Sequence, residues 1–283
     1  MAVSRGNGPS AIAAGELVLG GDLTVRRIGF GAMRITGAGV WGEPPDREAA
    51  LAVLRRAVEL DVNLIDTADS YGPEVSENLI AEALHPYPQG FVIATKGGFL
   101  RDGPGSWRAD GRPERLRQAC EASLRRLRLE TIDLYQFHTV DRSVPFEDSV
   151  GAFAELRAEG KVRHVGLSNV NPDELERAQR IVPIASVQNR YNYANRDSEP
   201  LLEACERDGL GFIPWFPLGA GGLAGDERLE QIARAHAAAP AQVALAWLLA
   251  RSPVMLPIPG TGSREHLEQN VAAASLRLNN ELE

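Results

Sequence analysis

Short apolar runs alternate with amphipathic stretches from residue 27 to residue 258, and this alternation limits what the chain can fold into. The runs fall at 27–31, 62–66, 91–95, 132–137, 162–167, 184–188, 210–215 and 254–258. Each has the length of a buried strand. The stretches between them carry helix starts. Asp46 is an N-cap ahead of Ala50, Val53, Leu54 and Ala57, which share one helical face. Pro113 opens a second helix lined by Leu116, Cys120, Leu124 and Leu127. Phe146, Val150, Phe153 and Leu156 mark a third, Asn171-Pro172 starts a fourth, and Pro240 opens the run to Ala250.

Eight strands, each followed by a helix, predict an α/β fold, a (β/α)8 TIM barrel. An open doubly wound sheet is the alternative, but no Gly-x-Gly-x-x-Gly joins a strand to a helix. A β-hairpin over residues 16–25, turning at Gly20-Gly21-Asp22, precedes the first strand and is expected to close the barrel bottom. No linker or charge block interrupts the units, so residues 16–283 read as a single domain. Residues 1–15 read as a flexible leader.

Charge and cysteine content narrow the function. Thirty basic and 38 acidic residues give a net charge of −8, which argues against a general binder of nucleic acid or anionic membrane. No apolar run approaches the ~20 residues of a membrane span. Cys120 and Cys205 stand far apart and read as reduced thiols, so a cytoplasmic protein without a metal site is expected. Nothing in the sequence reports oligomeric state. Only two of the 30 basic residues, Lys96 and Lys161, are lysine. A surviving lysine is a lead to a place that needs a compact ammonium rather than a planar guanidinium, and survival of both by chance is the alternative.

In barrels of this kind, chemistry collects at the C-terminal ends of the strands. Here those ends hold Asp66 and Tyr71, then Lys96, then His138. Tyrosine is a weak acid at neutral pH, and an adjacent ammonium is expected to lower its pKa. Asp66 would hold that ammonium, and His138 could donate to a substrate oxygen. Such a set can give or take a proton at a carbonyl or alcohol oxygen.

The chain resembles the aldo-keto reductase family over about residues 16–275. The motifs are Asn63-Leu-Ile-Asp-Thr-Ala-Asp-Ser-Tyr-Gly72, Ala94-Thr-Lys-Gly97, Ile132-Asp-Leu-Tyr-Gln-Phe-His138, Glu159-Gly-Lys-Val-Arg-His-Val-Gly-Leu-Ser-Asn169 and Leu256-Pro-Ile-Pro-Gly260. The resemblance implies NADPH-dependent reduction of aldehydes and ketones, or the reverse. It makes Tyr71 the proton donor, Lys96 and Asp66 the pair that tunes it, and His138 the group that orients the carbonyl. It places Ser168, Asn169 and Gln188 at the nicotinamide carboxamide and adds Gly31, Ala32 and Asp66 to the cofactor-binding residues. Trp215 stands where the family stacks a tyrosine on the nicotinamide ring, and Phe216, Pro217 and Leu218 lie beside the pyrophosphate.

At the adenosine end the match loosens. The family's frequent Lys is Gly260 here and its frequent Arg is His266. Thr261, Gly262, Ser263 and Arg264 are the replacements at a helix start, and Gln269 and Asn270 match the adenine-side pair. NADP(H) is therefore expected over NAD(H). Met33, Trp41, Phe99, Arg101 and Trp107 are the expected walls of the substrate pocket, suited to a flat or apolar carbonyl compound or alcohol. Gly29-Phe-Gly-Ala-Met-Arg-Ile35 and Ala81-Glu-Ala-Leu-His-Pro-Tyr87 look most like the bacterial pyridoxal reductases of the family. Pyridoxal reduction thus stands beside a general carbonyl reductase. A cofactor-binding regulatory subunit without turnover is the non-enzymatic alternative.

Overall fold

The computed structural model describes residues 8–219 and 225–278. Residues 1–7 of the expected leader, part of the loop after Leu218 and the end of the expected domain lie outside these. The hairpin pairs β1 (Glu16–Leu19) with β2 (Leu23–Arg26). The parallel staves follow as β3 (Phe30–Gly31), β4 (Leu64–Asp66) and β5 (Val92–Gly97). A short antiparallel pair, β6 (Phe99–Leu100) and β7 (Arg108–Ala109), intervenes. The staves resume as β8 (Ile132–Phe137), β9 (Val162–Ser168), β10 (Ile184–Gln188) and β11 (Gly211–Phe212). The seven staves form one sheet in the order β3-β4-β5-β8-β9-β10-β11.

An eighth stave closes the barrel without being a regular strand. Phe212 N–H donates to Val254 O (2.9 Å) and Leu256 N–H to Phe212 O (2.9 Å). On the other side Gly29 N–H donates to Pro257 O (3.0 Å). The expected strand at 254–258 is therefore an extended segment, because Pro257 has no N–H for a ladder. Pro214 shortens the expected strand 210–215 in the same way, although Ile213 and Trp215 N–H still bond to Val187 and Asn189.

The helices are α1 (Arg47–Glu59), α2 (Val75–Leu84), α3 (Pro113–Leu127), α4 (Phe146–Ala158), α5 (Pro172–Gln179), α6 (Glu199–Asp208), α7 (Glu227–Ala235), α8 (Pro240–Arg251) and α9 (Arg264–Ala272). Asp46 caps α1 by accepting from Ala49 N–H, and Asn171 with Glu174 forms a capping box on α5. Two helices, α7 and α8, stand between the last two staves, where the sequence pattern suggested one.

The hairpin plugs the end where the strands begin. Leu19, Leu23 and Val25 pack with the inward-facing Leu64, Ala94, Leu134, Ile213 and Leu256. A Cβ on Gly211 would lie 2.3 Å from the Leu19 side chain, so glycine is what admits the plug. The leader expectation is corrected for residues 8–15. Ser10 caps a 3-10 turn over Ala11–Ala14, Ala11 is fully buried, and its N–H donates to Leu60 O (2.8 Å). Apolar burial and that bond fix this segment to the barrel.

Two glycines test the packing in opposite directions. A Cβ at Gly31 would stand 2.6 Å from Ile258 O, while one at Gly151 in α4 meets nothing within 4 Å. Gly31→Ala is expected to cost about 1–3 kcal/mol, and Gly151→Ala to add about 0.5–1 kcal/mol. Urea unfolding of the two variants checks both, and a Gly31→Ala protein as stable as wild type would refute the closure described here.

Candidate active site

Side chains alternate across a strand, and three neighbouring staves use this alike. Leu64, Ala94 and Leu134 face the plug, so Asp66, Lys96 and Gln136, two residues on, face the open end. Gln188 arrives from β10. Lys96 Nζ donates to Asp66 Oδ1 (2.5 Å), to Thr67 O (2.8 Å) and to the Tyr71 hydroxyl (3.5 Å). Asp66 Oδ2 accepts from Gln136 Nε2 (2.8 Å) and Gln188 Nε2 (2.9 Å). Lys96 is 0 % exposed and Asp66 2 %.

His138 completes the group. Its ring lies 5.8 Å from the Tyr71 ring, and its Nδ1 is 3.4 Å from the Ser70 hydroxyl. Phe99 and Trp107 pack edge-on against it. Burial, with help from Lys96 and Arg101, holds the His138 pKa well below the usual histidine value, so the ring is neutral. Burial also pushes the Lys96 ammonium toward neutrality, but Asp66 and Tyr71 outweigh it and its pKa is raised. Tyr71 corrects an expectation. Burial raises its pKa, and the Lys96 ammonium offsets only part of that rise. The hydroxyl is therefore protonated at neutral pH.

Asp66, Tyr71, His138 and Gln188 line a cleft of about 720 Å³, with Lys96 and Gln136 buried behind them. Of the expected cofactor residues, Asp66, Ser168, Asn169, Gln188, Trp215, Phe216, Pro217, Leu218 and Gly260 line it. Asn169 Oδ1 accepts from Trp215 Nε1 (3.0 Å), and its Nδ2 donates to His138 O (2.9 Å) and Ser168 Oγ (3.1 Å). Asn169 thus anchors the Trp215 ring to the His138 backbone. Gly31 and Ala32 are buried behind the lining. Thr261, Gly262, Ser263, Arg264, His266, Gln269 and Asn270 lie outside the cleft wall, in the segment that enters α9 and in its turns. Ser263 caps that helix by accepting from His266 N–H.

Of the expected substrate walls, Met33, Phe99 and Trp107 line the cleft. Trp41 and Arg101 do not. The Arg101 guanidinium is taken up by backbone carbonyls and turns away from the cleft. Arg34, Val40, Thr139, Ile258 and Pro259 line it without having been singled out in the sequence. Arg34 and Val40 each neighbour an expected residue, and only loop geometry decides which neighbour turns inward.

The family model for the aldo/keto reductase family matches residues 27–282. The chain belongs to the aldo/keto reductase family. It is an NAD(P)H-dependent oxidoreductase of that family. It is 42 % identical to pyridoxine 4-dehydrogenase of Escherichia coli over 268 residues, covering 93 % of this chain and 94 % of that one. It is 51 % identical to an uncharacterized oxidoreductase of Schizosaccharomyces pombe over 263 residues, covering 93 % and 86 %. Among solved structures, it superposes on an aldo/keto reductase of Klebsiella pneumoniae in complex with NADP and acetate. That match has a TM-score of 0.79 and 29 % identity over 94 % and 92 % of the two chains.

One carboxyl beneath the site is unusual. Asp69 is buried, and its Oδ1 has no hydrogen-bond partner among the described residues. Burial and the nearby Glu77 raise its pKa to about 7, against partial offset by Arg115 and Arg126. Between about pH 4 and 7 the folded chain therefore binds a proton that the unfolded chain has released, and stability falls as pH rises across that window. Melting temperatures of wild type and Asp69→Asn at pH 5 and pH 8 test this. The variant should lose part of the drop between the two pH values, and an equal drop in both proteins would refute it.

Proposed function

We propose that this enzyme uses NADPH to reduce aldehydes and ketones to alcohols, with pyridoxal as a physiological substrate. The observation that carries the reading is Tyr71, protonated, beside the Lys96–Asp66 pair and facing a neutral His138 across one cleft. The cleft suits the cofactor. Gln188 uses its N–H groups on Asp66 and Gln136, which leaves its acceptor oxygen for a carboxamide. Ser168 and Asn169 stand beside it, and the anchored Trp215 offers a flat face. When bound, the cofactor supplies hydride to the carbonyl carbon.

The chain's own part is proton delivery and positioning. With the Ser70 hydroxyl donating to Nδ1, the His138 proton sits on Nε2 and can point at the carbonyl oxygen. Tyr71 donates its proton to that oxygen as charge develops, and Lys96 stabilises the phenolate left behind. Donors preset where charge appears are usually the largest catalytic term. At the phosphate end, a side chain at position 260 would collide with Gly31 O at 2.4 Å. The cation must then come from elsewhere, and Arg34 and Arg264 are exposed without a carboxylate partner among the described residues. They support NADPH over NADH. The aromatic wall of Phe99 and Trp107 and the likeness to pyridoxine 4-dehydrogenase support a flat aldehyde. Two free, buried thiols, raised to about 12 by burial, support a reducing, cytoplasmic setting.

Loss of NADPH absorbance with an aldehyde panel that includes pyridoxal tests the reading. Turnover of pyridoxal well above the rest of the panel supports it, and cofactor binding without turnover of any member refutes it. Tyr71→Phe should lower kcat by about 10³-fold while NADPH affinity, read by tryptophan quenching, holds. Wild-type activity in that variant would sink the mechanism. Lys96→Arg should lower kcat/KM by about 10²-fold, because five donors would enter a pocket built with three acceptors. An active arginine variant would remove the ammonium from the argument.

A further inference from the structure

Arg101 sits on the loop that links β6 and β7, and its guanidinium bonds to five backbone carbonyls. Nε donates to Ser106 O (2.6 Å). Nη1 donates to Val40 O (2.9 Å) and Ser70 O (3.0 Å). Nη2 donates to Gly39 O (2.9 Å) and Gly103 O (3.4 Å). These carbonyls belong to three separate loops at the mouth of the barrel. Residues 39–40 follow the first stave, Ser70 immediately precedes Tyr71, and residues 103 and 106 lie in the β6–β7 loop. The guanidinium also stacks 3.7 Å from the centre of the Trp107 ring, which packs edge-on to the Tyr71 ring with the two ring centres 6.3 Å apart.

We infer that Arg101 is a positioning residue that ties the Trp107 wall of the substrate cleft to the loop carrying Tyr71, so that wall and proton donor are set as one unit. This rests on the reductase reading above. The planar fork is needed because it serves acceptors in several directions while its face stacks on indole. Backbone bonds already link the same loops. Gly42 N–H donates to Gly72 O (2.6 Å), Gly72 N–H to Val40 O (3.2 Å) and Gly105 N–H to Gly39 O (3.3 Å). The first two make a single isolated bridge between Trp41 and Gly72, the third stands alone, and together they make no ladder. Arg101 shares the carbonyls of Gly39 and Val40 with them and adds the link to Ser70. A lysine could keep the charge but has three donors and no stacking face.

The consequence is a split between substrate fit and chemistry. Tyr71 also bonds to the buried Lys96, so the proton donor keeps an anchor when the fork is removed. Trp107, which is exposed, keeps only its edge-on ring contacts to Phe99, Tyr71 and His138. Arg101→Lys and Arg101→Met should each raise KM for benzaldehyde and for pyridoxal about tenfold while kcat falls less than about threefold. Hydrogen exchange at the amides of Gly42, Gly72 and Gly105 should speed up in both variants without any substrate present. A lysine variant with wild-type KM and wild-type exchange would overturn the proposal. So would a parallel loss of kcat, NADPH affinity and melting temperature, which marks a merely structural residue. Benzaldehyde and the exchange readout keep this test decisive if pyridoxal proves not to be a substrate.

Discussion

The buried Lys96–Asp66 pair is the constraint around which the barrel is built. Moving two charges out of water costs several kcal/mol each, and attraction alone often fails to offset that. Here the remaining capacity of both groups is met. Asp66 Oδ2 takes two amide N–H groups, from Gln136 and Gln188, and Lys96 finds the Thr67 carbonyl as well as Asp66. These partners come from β4, β5, β8 and β10 and the turn after β4. The pair is satisfied only when those staves are in register, so the polar centre and the closed sheet require each other. Gly166 on β9 makes room for this. A Cβ there would lie 2.6 Å from Ser186 Oγ and 2.8 Å from Gln136 Cγ, displacing the amide that holds Asp66.

Above that rigid floor, the mouth is made of loops with few contacts of their own. Gly39, Gly72 and Gly105 take positive φ values where the chain folds back on itself. Their backbone groups face one another across loop boundaries, so the mouth depends on bonds between segments far apart in sequence. Tyr71 joins the two levels. Its hydroxyl reaches down to Lys96, while its ring packs against Trp107 and His138. The Tyr71 hydroxyl is thereby fixed by the floor and its reach into the cleft by the loops.

The periodic part of this structure was legible in the sequence. The Asp46 cap, the Asn171 start and the Gly20-Gly21 turn each follow from local chemistry that no tertiary contact overrides. The last two staves were less legible as strands, because Pro214 and Pro257 remove donors without removing the segments from the barrel wall. The β6–β7 pair was hidden because residues 101–106 read as Gly, Pro and polar residues with no alternation. The side chains proposed to be catalytic were visible as strand-end residues, but their electrostatic balance was not. An ammonium beside Tyr71 argues for a lowered pKa, whereas burial, which is a property of the assembled core, raises it. Arg101 was misplaced for a related reason. Sequence put it on the right loop, and carbonyls of that loop and of two distant ones turn it away from the cleft.

The scarcity of lysine bears on one of the two sites that keep it. Lys161 is partly exposed and pairs with Glu121 (2.7 Å) and Glu159 (3.0 Å). Arg117 pairs with that same Glu159, so a guanidinium serves equally well on this surface. Lys96 is different in kind. Its three N–H groups meet three acceptors, Asp66 Oδ1, Thr67 O and the Tyr71 hydroxyl, inside a fully buried pocket. A guanidinium brings five donors in a plane, and two would be left without partners where water does not reach. An unmet buried donor costs about 1–3 kcal/mol. The lysine at 96 is therefore set by donor count and shape together, in a chain whose only other lysine is Lys161.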